Sequence, residues 1–134
     1  MSKKNIWPLA MLCLMVLSGC DTPVTYKVFI NNELPAEIKI KSFASYDTVT
    51  EYRTIAPFSK TEMAYYMEIA RPRYDYFTNG DSIYFFYSIS VIANNGIPLN
   101  PNFMLRKYWK LNWIAPDTGE YVLTIDSNMA GNKF

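Results

Sequence analysis

No histidine occurs anywhere in this chain, and its only cysteines are Cys13 and Cys20. A Ser-His-Asp triad, a Cys-His pair and a histidine-ligated zinc site therefore cannot be built from it. Any chemistry falls to carboxylates, Lys, Tyr or Ser. Glycoside hydrolysis needs two carboxyl groups about 5–10 Å apart. Glu62 and Glu68, on one face of a strand, would stand about 20 Å apart at roughly 3.3 Å per residue, which is too far. Asp75 with Asp81, and Asp117 with Glu120, fall in turn-like stretches where acidic side chains cap and solvate. Asn79-Gly80-Asp81 is the nearest approach to a calcium loop, but it lacks the flanking acidic ligands and reads as a hairpin turn. The chain is accordingly read as non-enzymatic, with no catalytic residue, no metal site and no cofactor.

Side chains suited to binding are more plentiful. Arg106, Lys107, Tyr108, Trp109, Lys110 and Trp113 mix cations with amphipathic aromatics, which suits anionic headgroups, glycan faces or a protein hot spot. The plainer reading puts Trp109 and Trp113 in the core and leaves the three cations solvated. Arg71-Pro72-Arg73, followed by Tyr74 and Tyr76, has a similar composition and reads as a basic loop. Tyr66, Tyr84 and Phe86 lie on what alternation makes the non-core faces; exposed together they would form a platform for stacking sugar rings. The candidate interaction residues are therefore Arg106, Tyr108, Lys110, Tyr66 and Tyr84.

Cys20 has a different chemistry. Lys3 and Lys4 precede an apolar run of twelve residues from Ile6 to Leu17 (17 − 6 + 1), the pattern of a secretory signal peptide. The run is shorter than the roughly 20 residues a transmembrane helix needs. It ends in Leu17-Ser18-Gly19-Cys20, which resembles the lipobox of bacterial lipoproteins at every position. Over residues 1–20 that resemblance implies a diacylglyceryl group on the Cys20 thiol, cleavage between Gly19 and Cys20, and acylation of the new amino terminus. Each buried methylene contributes about 0.8 kcal/mol, so two or three chains anchor effectively permanently. The expected location is a bacterial membrane on its periplasmic side. Asp21 leans towards the inner membrane, with the outer membrane left open.

Cleavage would leave 134 − 19 = 115 residues with 13 − 2 = 11 basic and 12 acidic side chains, a net charge of −1. That balance argues against nucleic acid, which calls for concentrated positive charge. Cys13 leaves with the leader and Cys20 carries the lipid, so no disulfide is expected. The organisation read from the sequence is a signal peptide over 1–19, a lipidated Cys and short tether over 20–25, and one domain over 26–134. The tether, Asp21 to Thr25, spans at most about 17 Å at roughly 3.4 Å per residue.

Period-two alternation and turn residues predict seven strands, near 26–31, 37–42, 47–55, 61–69, 82–93, 103–113 and 120–126. Tyr26, Val28 and Ile30 share a face, and Ile38 and Ile40 oppose Glu37, Lys39 and Lys41. Along the fourth strand Thr61, Met63, Tyr65, Met67 and Ile69 fall on one side, with Glu62, Ala64, Tyr66 and Glu68 on the other. The fifth is apolar on both faces and is expected at the centre of a sheet. A short helix near 103–110 competes with the sixth. Turns are expected at Asn79-Gly80-Asp81, Asn94-Asn95-Gly96 and Pro116 to Gly119. This spacing suggests an all-β, two-sheet β-sandwich of the immunoglobulin-like kind, and Asp117-Thr118-Gly119-Glu120-Tyr121 resembles the tyrosine-corner entry to strand F of that fold. The functional expectation is a lipid-anchored binding or assembly domain with an envelope protein as partner. The alternative is a carbohydrate-binding accessory domain that stacks a glycan on exposed aromatics.

Overall fold

The computed structural model describes residues 22–44, 50–70, 75 and 77–131. They form a mostly β protein. Its strands are β1 (Thr22–Asn32), β2 (Ile38–Ala44), β3 (Thr50–Ile55), β4 (Ser59–Ala70), β5 (Thr78–Asn79), β6 (Ser82–Ile83), β7 (Phe86–Ala93), β8 (Trp109–Ala115) and β9 (Thr118–Ile125). A 3₁₀ turn over Arg106–Tyr108 leads into β8, and a short helix α1 (Ser127–Ala130) follows β9. Asp126 caps α1, its Oδ1 accepting from the Met129 amide at 3.0 Å.

Two larger sheets carry the fold, one in the order β4-β1-β9-β8 and one in the order β3-β2-β7, beside the hairpin β5-β6. Strict alternation explains the two central strands of the first sheet. In β1, Val24, Tyr26, Val28 and Ile30 turn inward; in β9, Tyr121, Leu123 and Ile125 do the same. Ile38, Ile40 and Val91 answer them from the second sheet, and all belong to one apolar cluster. β1 runs antiparallel to β4 but parallel to β9. The parallel pair departs from the wholly antiparallel sheets of an immunoglobulin-like sandwich.

Several expectations are corrected by this arrangement. β1 begins at Thr22 rather than 26, because Val24 is already buried and pairs with Glu68. The stretch 22–25 is thus strand, not tether. β4 does not alternate uniformly: Val28 pairs with Ala64 and Phe29 with Glu62, leaving Met63 as an extra residue. A bulge of this kind reverses the sense of every side chain beyond it. Met63 is buried, Ala64 and Tyr66 turn towards the core, and Tyr65, Met67 and Ile69 are exposed.

The predicted strand over 82–93 is divided. It breaks at Tyr84 and Phe85, so that Phe85 and Phe86 are both buried and Tyr87 faces water. β7 then lies at an edge of its sheet, with β2 at the centre. Its outer side receives only a short return of chain, where the Leu99 amide donates to the Val91 carbonyl at 2.8 Å. The sixth strand starts late, at Trp109, because the 3₁₀ turn occupies Arg106–Tyr108. The predicted start of the third strand, 47–49, lies outside the described residues.

Turns fall where glycine permits them. Gly80 (φ 59°) closes the β5-β6 hairpin and Gly96 (φ 82°) the turn after β7, both in the left-handed region open to glycine. At the other end of β1, the buried Asn32 ties three segments together. Its Nδ2 donates to the carbonyls of Ala36 (2.8 Å) and Ala56 (3.0 Å), and its Oδ1 accepts from the Leu34 amide at 3.1 Å.

Candidate interaction surfaces

Arg106 is the candidate whose setting changes most. Its Nε donates to Asp75 Oδ2 at 3.1 Å, its Nη1 donates to the Trp109 carbonyl, and its backbone amide donates to the Asp81 carbonyl at 2.7 Å. Asp75 in turn accepts from the Tyr121 hydroxyl, which itself accepts from the Phe77 amide at 3.3 Å. The group is a clamp that ties the chain around 75–81 to β9 and to the approach to β8. Burial first, and then the bond to Asp75, push the Tyr121 phenol well above its ordinary range. It stays protonated and donates to Asp75. A tyrosine corner returns its hydroxyl to backbone a few residues upstream. Tyr121 instead reaches Asp75, 46 positions away in sequence.

Phe77 is the aromatic counterpart of that clamp. Its ring meets Tyr66 at 4.8 Å, Tyr26 at 5.2 Å and Tyr84 at 5.6 Å between centroids. Tyr66 also donates to the Phe85 carbonyl at 2.9 Å, so it is held half-buried. Phe86 is only 4% exposed, against 43% for Tyr84. The three-ring platform of Tyr66, Tyr84 and Phe86 is therefore not formed, because the break in the strand at Tyr84 and Phe85 turns Phe86 inward.

The structure thus brings Tyr66, Tyr84 and Arg106 to one neighbourhood, through Phe77 and Asp75. Tyr108 and Lys110 stand apart from it. Tyr108 packs its ring on Phe103 at 5.7 Å between centroids, with Lys107 Nζ 5.0 Å from the Tyr108 ring centroid. Lys110 projects from β8 into solvent. Trp109 is core: its Nε1 donates to the Phe103 carbonyl at 2.7 Å and its ring meets Phe85 edge-on at 4.9 Å. Cys20, Arg71 to Tyr74 and Tyr76 lie outside the described residues.

Two exposed surfaces escaped the sequence reading. One is the row Tyr65, Met67 and Ile69 on β4, an edge strand of the first sheet. The other is the outer face of the second sheet, where Lys39 and Lys41 of β2 stand beside Tyr52 of β3, with Tyr87 exposed on β7. Lys41 Nζ lies 5.6 Å from the Tyr52 ring centroid. The second surface had a signal, since Lys39 and Lys41 oppose Ile38 and Ile40. The first had none, because a bulge leaves no mark in alternation. An open cleft of roughly 440 Å³, lined by Thr22, Pro23, Pro116 and Asp117, adjoins the start of β1.

Among the described residues no group of three Asp, Glu, Cys or His side chains is placed to hold a metal ion. No helix among them is long and apolar enough to cross a membrane. No protein-family model matches the sequence, and no curated protein matches it significantly.

Proposed function

We propose that this protein is a lipid-anchored, non-enzymatic binding module of the bacterial envelope, held at the periplasmic side of a membrane through Cys20. The observation that carries the reading is the start of β1 at Thr22, two positions after the lipobox cysteine. Chain geometry allows at most about 7 Å between those two residues, so a lipid on Cys20 would hold the domain against the bilayer. A partner at the same membrane is favoured over one across the envelope.

The surface for that partner is the outer face of the second sheet. Tyr52 and Tyr87 are rigid, amphipathic anchors of the type that dominates hot spots, and Lys39 and Lys41 select an acidic protein surface. The finer fold assignment, an immunoglobulin-like sandwich, is supported by the shared core of the two sheets. The parallel β1-β9 pair weighs against it.

Mass spectrometry of the mature amino-terminal peptide tests the anchor, with acylated Cys20 as the expected amino terminus. Cross-linking in membranes tests the module. An envelope protein captured by the wild type and lost with Tyr52→Ala or Lys41→Glu supports it; equal capture by these variants removes the proposed face. Turnover abolished by one carboxylate substitution would revive an enzymatic reading.

A further inference from the structure

The apolar row on β4 is placed by register at the anchored end of the domain. Thr22 pairs with Ala70, Pro23 with Ile69, Thr25 with Met67 and Lys27 with Tyr65. Ile69 is therefore the cross-strand neighbour of a residue only three positions from Cys20. Met67 and Ile69 are 60% and 72% exposed. The row continues across the sheet at the same end. Thr25 pairs with Thr118 of β9, Thr118 with Ala115 of β8, and the adjoining Ile114 is also exposed.

An exposed apolar row on an edge strand invites pairing with another chain, and edge strands normally carry charge to prevent it. Here the row ends beside Pro23, three positions in sequence from Cys20. From these placements we infer that the outer face of β4, through Tyr65, Met67 and Ile69 with Pro23 and Ile114, is seated on the lipid surface that holds the anchor. Apolar side chains enter the boundary between headgroups and acyl chains, Tyr65 sits at headgroup level as amphipathic aromatics do, and Lys27 beside it meets anionic headgroups. The seat turns a tethered domain into an oriented one, and the outer face of the second sheet is left for a protein partner. It rests on the lipid-anchored reading above.

The test uses the full chain, processed and lipidated in a bacterial host, then reconstituted into phosphatidylethanolamine and phosphatidylglycerol vesicles. With the Cys20 thiol consumed as a thioether, Met67→Cys, Ile69→Cys and Tyr87→Cys each supply one reactive thiol for an environment-sensitive fluorophore. Labels at 67 and 69 are expected to shift their emission to the blue and to be quenched severalfold more by spin-labelled lipid than the label at 87. Equal quenching at all three positions, with Cys20 lipidated by mass spectrometry, overturns the seat and leaves the anchor standing. An unmodified Cys20 overturns both.

Discussion

The Tyr121 hydroxyl donates to the Asp75 carboxylate across 46 positions of sequence, and the same carboxylate accepts from Arg106. One acidic side chain thus receives a buried phenol and a half-buried guanidinium. Removing the hydroxyl in Tyr121→Phe deprives both the carboxylate and the Phe77 amide of a partner. Hydrogen bonds to charged groups contribute about 1.5–3 kcal/mol, and a loss of that size in urea unfolding is expected, with the fold retained by circular dichroism.

The same phenol makes stability depend on alkaline pH. Its value is raised in the fold by burial and by Asp75 and returns to about 10 in the unfolded chain. Its contribution is therefore complete below about pH 10 and falls above it, as the unfolded chain releases a proton that the fold retains, by at most about 1.4 kcal/mol per pH unit. Urea midpoints measured upward from neutral pH should fall less steeply for Tyr121→Phe than for the wild type. Identical slopes would assign the loss to other tyrosines.

Asn32 offers a second test at the opposite end of β1. Asn32→Ala strands the Leu34 amide and takes a donor from the carbonyls of Ala36 and Ala56, the latter keeping its bond from the Ser59 hydroxyl. A cost of about 1–3 kcal/mol is expected from the buried Leu34 amide left without a partner. Asn32→Asp should cost more, because a carboxylate would face two carbonyl oxygens. A melt within error of the wild type for either variant would remove Asn32 from this role.

Trp109 and Lys110 are adjacent in sequence and should behave oppositely. Trp109→Phe leaves the Phe103 carbonyl without its donor, at about 1–3 kcal/mol. Lys110→Ala, on the exposed side of β8, should stay within about 0.5 kcal/mol of the wild type. Chemical denaturation of the two variants side by side checks the assignment of Trp109 to the core.

Gly119 is constrained by packing, not by its dihedral angles. A Cβ there would lie 3.1 Å from Leu111 Cδ1 and 3.4 Å from both the Trp113 and Tyr26 rings. Gly119→Ala should cost about 1 kcal/mol through overpacking. Trimming the nearest obstacle with Leu111→Ala should shrink that cost, and a double-mutant cycle reads the coupling.

Legibility in the sequence followed range. The inward faces of β1 and β2, the turns at Gly80 and Gly96, and the division of the buried Trp109 from the exposed Lys107 and Lys110 were readable because each rests on adjacent residues, whereas Arg106, expected in solvent with those two lysines, is bound to Asp75. The candidate residues were less so. Tyr66, Tyr84 and Arg106 do gather, but around Phe77 and Asp75, which no local pattern singled out. Phe86 was misplaced because two consecutive buried rings, Phe85 and Phe86, violate the alternation used to sort them.

By itself the sequence determined that the chain is strand-rich, that it has no histidine, and that an apolar run from Ile6 ends in Leu17-Ser18-Gly19-Cys20. These are properties of residue type and of spacing along one segment. Only the tertiary structure decided that β1 and β9 pair in parallel, that Tyr121 reaches Asp75, and that Met63 is an extra residue opposite β1. A side chain's face is inherited from its neighbour with period two until pairing with another strand inserts a residue. The partner strand lies elsewhere in the chain, so the reversal that exposes Tyr65, Met67 and Ile69 had to await the fold.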